Sequence, residues 1–167
     1  VTAEFGTAPT LMTADVGPGT FSLRRATKAD LPRILALLAD DQLGATRENA
    51  DDLVPYQQAF DAIDADPAHL LVVGELAGDV VATFQLSYLP GLSRKGSWRA
   101  QIEAVRVSDV LRGRGVGALM IEWAVEQARE RGCSLVQLTT DKSRTAAHRF
   151  YERLGFVASH EGMKLTL

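Results

Sequence analysis

Hydrophobic positions along the chain recur with two different periods. Phe21-Ser22-Leu23-Arg24-Arg25 alternates as a short strand does, and Leu31, Ile34, Leu35 and Leu38 then follow the i, i+3, i+4, i+7 stripe of a helix that packs by one face. Thr27 stands three residues before Asp30, a capping-box spacing with Asp as the shorter acid, and Gly44 lies past the helix end. Leu53 to Ile63 predicts a second, weaker helix that stops before Asp66-Pro67. His69 to Glu75 and Asp79 to Tyr88 read as apolar strands joined across Ala77-Gly78-Asp79, a hairpin signal, with Pro90-Gly91 closing the second. Trp98 to Val107 reads as one long strand. Strict alternation puts Trp98, Ile102, Ala104 and Arg106 on one side of it and Arg99, Gln101, Glu103, Val105 and Val107 on the other. Val116 to Arg131 carries Val116, Leu119, Met120, Trp123 and Ala124 on one helical face and ends at Gly132. After it come a buried strand at Leu135 to Leu138, a short amphipathic helix through Ala147, Phe150, Tyr151 and Leu154 stopped by Gly155, and a closing hairpin over Phe156 to Leu167.

The predicted order is therefore β-α-α-β-β-β-α-β-α-β-β. A strand, helix and strand across residues 98 to 139 implies a parallel pair with a crossover helix, while the other strands are hairpin-linked. The fold class expected is α/β, more strictly an α+β arrangement around one mixed sheet. A chain of 167 residues suits a single domain. We place that domain at residues 21–167. Residues 1–20, rich in Thr, Ala, Gly and Pro with no apolar period, read as a flexible N-terminal extension.

Charge and composition narrow the function classes. Eighteen Lys and Arg against twenty-one Asp and Glu leave a net charge of −3, which supplies no general attraction to nucleic acid or to an anionic membrane. Hydrophobic residues make up 46%, enough for a core, yet no apolar run approaches the roughly 20 residues of a membrane helix. Cys133 is the single cysteine, so no internal disulfide can form and a reducing, cytoplasmic setting is expected. It reads as a small core residue, since no partner base lies at a recognisable spacing. His69, His148 and His160 lack metal-ligand spacing, and no metal is expected. Trp123 and Met120 belong to the helix stripe and read as core.

The chemistry concentrates in Arg112-Gly113-Arg114-Gly115-Val116-Gly117, between the long strand and the strongest helix. Three glycines within five residues let a backbone approach a ligand closely, and a helix start offers unpaired N–H groups under a partial positive charge. That combination binds phosphate oxygens, and Arg112 and Arg114 can add charge-assisted hydrogen bonds. A tight turn with solvated arginines is the plainer alternative. A dinucleotide site, with Asp141 as the ribose acid, fits poorly, because four residues separate the strand from the glycines and Asp141 lies 28 positions beyond Gly113 rather than about 20. A nucleoside-triphosphate loop is excluded, since no Gly-Lys-Ser/Thr follows.

The stretch from Val105 to Gly117, followed by Phe150-Tyr151-Glu152-Arg153-Leu154-Gly155-Phe156, resembles the GCN5-related N-acetyltransferase family. The family's Arg/Gln-x-x-Gly-x-Gly/Ala motif falls on Arg112, Gly115 and Gly117, and its Tyr-x-x-x-Gly-Phe motif on Tyr151, Gly155 and Phe156. The resemblance implies an acyl-CoA N-acyltransferase-like fold in which two parallel strands splay. Acetyl-CoA would enter as co-substrate, its pyrophosphate on the backbone of Arg112, Gly113, Arg114, Gly115, Val116, Gly117 and Ala118, its pantetheine arm lying strand-like beside Val105 and Val107. Where relatives have Asn, seven residues before the tyrosine, this chain has Arg144, which either reaches a phosphate or points to solvent. Asp109 stands where the family often has Pro.

Acetyl transfer to an alkylamine of pKa near 10.4 requires removal of a proton, a deficit of roughly 4 to 5 kcal/mol at pH 7. The resemblance puts Glu103 in position to take that proton, directly or through water, and Tyr151 beside the leaving thiolate as acid. An N–H at Val105 would steady the developing oxyanion if a bulge frees it. Asp40, Asp41, Asp51 and Asp52 form either a solvated charge run or a negative mouth for a cationic amine. The activity expected is N-acetylation of a primary amine, a small-molecule acceptor rather than a protein tail, by direct transfer in a ternary complex, and a homodimer stays open. A non-catalytic acyl-CoA-binding or sensing domain is the competing reading.

Overall fold

The computed structural model describes residues 8–40 and 44–167. Six strands form one sheet in the order β1-β2-β3-β4-β5-β6, each beside its neighbour in sequence. They are β1 (Thr10–Asp15), β2 (Thr20–Arg25), β3 (His69–Leu76), β4 (Asp79–Pro90), β5 (Trp98–Val107) and β6 (Cys133–Leu138). The first five pair antiparallel, and β6 runs parallel to β5. Helices α1 (Leu31–Ala39) and α2 (Val54–Ala65) follow β2, a single turn α3 (Ser93–Gly96) precedes β5, α4 (Val116–Glu130) links β5 to β6, and α5 (Thr145–Arg153) follows β6.

Each connection has a local cause. Ala77 and Gly78, at φ +52° and +87°, make the left-handed pair of a two-residue hairpin between β3 and β4. Before α1, the Asp30 carboxylate accepts from the Thr27 N–H at 2.7 Å and from its hydroxyl at 2.9 Å, so the expected capping box is present. The same carboxylate takes two hydrogen bonds from the Arg24 guanidinium, at 2.7 and 2.8 Å, and Arg24 reaches Glu75 on β3 at 2.7 Å. Burial alone would raise the Asp30 pKa, but the bonds from Arg24 and Thr27 outweigh it and hold the carboxyl below its ordinary value.

Two apolar clusters lie on opposite faces of the sheet. Phe21, Leu23, Phe84, Leu86, Ala100 and Ile102 pack with Met120, Ile121 and Ala124 of α4, while Val73 and Val80 pack with Ile34, Leu37 and Phe60 of α1 and α2. Trp123 meets Phe84 edge-on, with ring centroids 6.1 Å apart. On α1 the buried set is Leu31, Ile34, Leu35 and Leu37, with Leu38 only half-buried.

Three expectations are corrected. Within the extension read over residues 1–20, Thr10–Asp15 forms β1 against β2, and residues 1–7 lie outside the described residues. Met12, Ala14 and Val16 do alternate, and Met12 and Val16 join the core cluster, but adjacent Leu11 and the surrounding Thr and Gly obscure that short stripe; β2 offers an edge, and the Gly17–Gly19 turn returns the chain to it. The closing hairpin over Phe156 to Leu167 is absent. The Ser159 N–H bonds back to the Val157 carbonyl at 2.9 Å, and Ser159-His160-Glu161-Gly162 separates two apolar pieces that remain exposed at Val157, Met163 and Leu165. The third correction concerns β5. Thr83 pairs with Arg106 and Gln85 with Glu103, so Ala104 and Val105 together stand opposite Phe84, and Ala104 adopts φ +54°. This bulge breaks the strict alternation expected along the strand.

Candidate active site

Cross-strand partners share a face of the sheet, so the extra residue at Ala104-Val105 changes which side chains meet. Glu103 opposite Gln85 and Arg106 opposite Thr83 lie on the same face. An unbroken strand would have put them on opposite faces. Val105 and Val107 turn the other way and pack against the cluster that contains Phe84 and Ile102. Glu103 therefore does not share a face with the two valines, as alternation had suggested. It shares one with Arg106, which the sequence reading had left aside.

The β5–β6 register ends at Ile102 opposite Leu138, while β5 continues to Val107. Between the parting strands opens a cleft of about 390 Å³, its solvent-open mouth included. Its walls bring together Glu103, Val105, Arg106, Thr140, Arg144 and Tyr151. Four of these, Glu103, Val105, Arg144 and Tyr151, are residues singled out from the sequence. Thr140 is new. Its hydroxyl oxygen is buried without a hydrogen-bond partner, a polar group turned inward and unsatisfied.

Tyr151 reaches the cleft from α5. That helix ends in Gly155 at φ +89°, with the Gly155 N–H bonded to Glu152 and the Phe156 N–H returning to the Tyr151 carbonyl at 3.1 Å. Phe150 and Phe156 flank the Tyr151 ring at 5.0 and 5.8 Å between centroids, both edge-on. The Tyr-x-x-x-Gly-Phe spacing thus closes the helix and clamps the phenol in one place. Burial raises the Tyr151 pKa above its ordinary value, with Arg144 and Arg106 opposing the rise through their charge. The phenol is consequently protonated near neutral pH and competent to donate. Arg144, at the N-terminal boundary of α5, is half-buried in the cleft wall, where none of the glycine-turn residues takes part.

The glycine turn forms a second region, at the start of α4. Gly113 and Gly115 adopt φ +76° and +79°, which non-glycine residues rarely do, and no atom stands within 4 Å of a Cβ at either position. The backbone is open there to a close-lying group, as an approaching pyrophosphate requires. Gly117 serves packing, since a Cβ would lie 3.2 Å from the Phe150 ring. Val116 is buried and anchors the turn, whereas Arg112 and Arg114 are exposed. Arg112 contacts the Asp109 carboxylate and lies 3.6 Å from that of Asp40.

Of the acidic run read as a mouth for a cationic amine, Asp40 therefore faces Arg112. Asp52 accepts from the Val54 N–H at 3.1 Å at the start of α2, and Asp41 lies outside the described residues. Cys133 is half-buried at the start of β6, with its thiol pKa raised by burial. Among the described residues no three His, Cys, Asp or Glu side chains stand together as a metal site, and no helix is long and apolar enough to cross a membrane.

The comparison with known proteins meets this geometry directly. The family model for the acetyltransferase (GNAT) family matches residues 32–156. The chain belongs to that family. It is an acetyl-CoA-dependent N-acetyltransferase, with acetyl-CoA as the family's co-substrate. Among curated relatives, the aminoalkylphosphonate N-acetyltransferase of Salmonella typhimurium is 30% identical over 83% of this chain and 86% of its own. The L-methionine sulfoximine/L-methionine sulfone acetyltransferase of Pseudomonas paraeruginosa is 32% identical over 83% of this chain and 81% of its own. A solved structure titled transcriptional regulator, from Bacillus halodurans C-125, superimposes with a TM-score of 0.85 at 46% identity, over 88% of this chain and 99% of that one. The fold is thus that of the acyl-CoA N-acyltransferases, a mixed sheet with splayed parallel strands flanked by helices.

Proposed function

We propose that the chain transfers the acetyl group of acetyl-CoA directly to the primary amine of a small molecule, within a ternary complex. The observation that carries this reading is the cleft between β5 and β6, which places a carboxylate, Glu103, and a protonated phenol, Tyr151, on the walls of one small space. The two curated relatives are named for small amino compounds, which supports an acceptor of that size. The single cysteine supports a reducing, cytoplasmic setting.

In this reading the backbone of Arg112 to Ala118 receives the pyrophosphate, and the edge of β5 at Val105 and Val107 guides the pantetheine arm toward the cleft. Glu103 takes one proton from the ammonium, through water or directly, and leaves a neutral nitrogen lone pair. That pair attacks the thioester carbonyl carbon, so a C–N bond forms. The Val105 N–H, beside the bulge, donates to the oxygen as it gains charge. The C–S bond then breaks, Tyr151 delivers its proton to the departing sulfur, the second nitrogen proton passes by way of water to the phenolate and restores the phenol, and Glu103 releases the first proton to solvent. The products are one N-acetyl amide and one free thiol.

A panel of small primary amines assayed for thiol release and for N-acetyl product by mass spectrometry tests the proposal. Release of one thiol per amide supports it. Tight acetyl-CoA binding with no transfer to any amine would instead favour the non-catalytic acyl-CoA-binding reading.

A further inference from the structure

β6 is the last strand of the sheet, so among the described residues its far edge pairs with no other strand. Its six residues, Cys133-Ser134-Leu135-Val136-Gln137-Leu138, include no charge and no proline, the usual guards of an exposed edge. The apolar side chains of β6 are only half-buried, and α5, which follows it, buries no residue fully although Phe150 and Tyr151 join the main apolar cluster. Residues 157–167 are exposed throughout, Met163 at 97% and Leu165 at 86%. Met163, Leu165 and Leu167 alternate with Lys164 and Thr166, the pattern of a strand with one apolar face. An apolar strand seated on no sheet, in a chain whose sheet ends in an unguarded edge, is an interaction surface.

We propose that residues 161–167 of one protomer add as a strand to the outer edge of β6 in a second copy of the chain, and that the second copy returns the same strand to the first, so that a two-fold dimer forms by reciprocal exchange. The chain's own edge is not where the segment goes. The Tyr151 carbonyl holds the Phe156 N–H, and Glu161 lies 3.5 Å from Lys142, so the segment passes the end of β6 rather than its side. Folding back along that edge needs a tight turn. Gly162, the residue best able to supply one, does not adopt the left-handed conformation, and no turn or bend interrupts residues 161–167. The lengths match, since seven extended residues span about 23 Å and the six of β6 about 20 Å. Both exchanged strands and the surfaces they cover amount to on the order of 1,000 Å², from that length and the roughly 10 Å spacing of packed sheets, which reaches the size a specific dimer needs. Val136 and Leu138 pack on the cluster shared with α4, so the apolar face of the arriving strand continues an existing core. The partner's strand then lies directly behind the wall that Leu138 and Thr140 give to the cleft.

Sedimentation velocity on the full chain, from about 1 to about 100 μM, reads the oligomeric state, and hydrogen exchange with mass spectrometry reads which amides are protected. A dimer is expected in which the amides of residues 161–167 and of β6 are protected together. Met163→Asp combined with Leu165→Asp puts charge where the dimer buries apolar side chains, and should weaken association by at least about 100-fold. Both positions are exposed within one protomer, so the variant should stay folded by circular dichroism. Leu92→Asp, at an exposed apolar residue before α3, should leave the dimer unchanged. A monomer across the whole range would overturn the inference, whether residues 161–167 exchange freely or are protected by folding onto their own β6. A dimer indifferent to the double substitution would also overturn it, as would one weakened equally by Leu92→Asp or one in which residues 161–167 exchange freely.

Discussion

Gly115→Ala separates a backbone cost from a binding cost. Gly115 is the residue before α4, at φ +79°, with no atom within 4 Å of the position a Cβ would take. The methyl group therefore clashes with nothing in the protein, and the cost to the fold is that of holding alanine in the left-handed region, about 1 to 2 kcal/mol. In a domain of this size that lowers Tm by about 2 to 8 °C. The same methyl group stands on the surface where the pyrophosphate has to meet the N–H groups of the α4 start, and a lost close approach there should weaken acetyl-CoA binding by about 10-fold or more. Gly78→Ala provides the matched control. Gly78 sits at φ +87° in the β3–β4 hairpin, also with nothing within 4 Å of a Cβ. Thermal melts with and without acetyl-CoA, together with calorimetric titration, distinguish the two costs. Both variants should lose similar stability, and only Gly115→Ala should lose affinity. Equal affinities in the two variants would refute the assignment of the pyrophosphate to the glycine turn.

Three further outcomes follow from the same geometry. Tyr151→Phe keeps the ring clamped between Phe150 and Phe156, so kcat should fall by about 10- to 1000-fold with acetyl-CoA affinity unchanged, as separated by steady-state kinetics and calorimetry. Glu103→Gln should lower kcat/KM by about 100-fold at pH 7, and a pH profile should show the deficit shrinking as the amine deprotonates on its own toward pH 10. Asp30→Asn breaks a pair whose side chains are only 10 to 11% exposed and should cost about 3 kcal/mol in urea unfolding at pH 7. Because the folded Asp30 pKa is depressed, its contribution is present above the ordinary carboxylate value and is lost as pH falls through the folded value. The gap between parent and variant should therefore narrow below about pH 4.

Much of this molecule was legible before the structure. The α4 stripe, the Ala77-Gly78 hairpin and the Thr27–Asp30 box are local patterns whose physics is complete within a few residues. The two motif segments were legible for the same reason, one as a left-handed glycine turn before a helix, the other as a helix stop that fixes Tyr151. The β5 bulge was not. Nothing in Glu103-Ala104-Val105-Arg106 marks one residue as extra, because the bulge is defined by what stands opposite, and alternation read on one strand assigns Arg106 to the wrong face. Strand β1 escaped because its inward stripe, Met12, Ala14 and Val16, is short and is obscured by adjacent Leu11 and by neighbouring Thr and Gly. The hairpin expected after Phe156 was read from β-prone residues alone, and these pieces remain outside the sheet. The cleft residues the reading missed, Arg106 and Thr140, are those whose placement depends on the bulge and on where the β5–β6 register ends.

Direct transfer in the β5–β6 cleft is tested most squarely by initial rates measured while acetyl-CoA and an accepted amine are varied together, with the protein examined by mass spectrometry after exposure to acetyl-CoA alone. The account predicts double-reciprocal lines that intersect, one thiol released per N-acetyl amide, and no acetyl group on the protein. Parallel lines with an acetyl adduct on a side chain, Cys133 included, would contradict it.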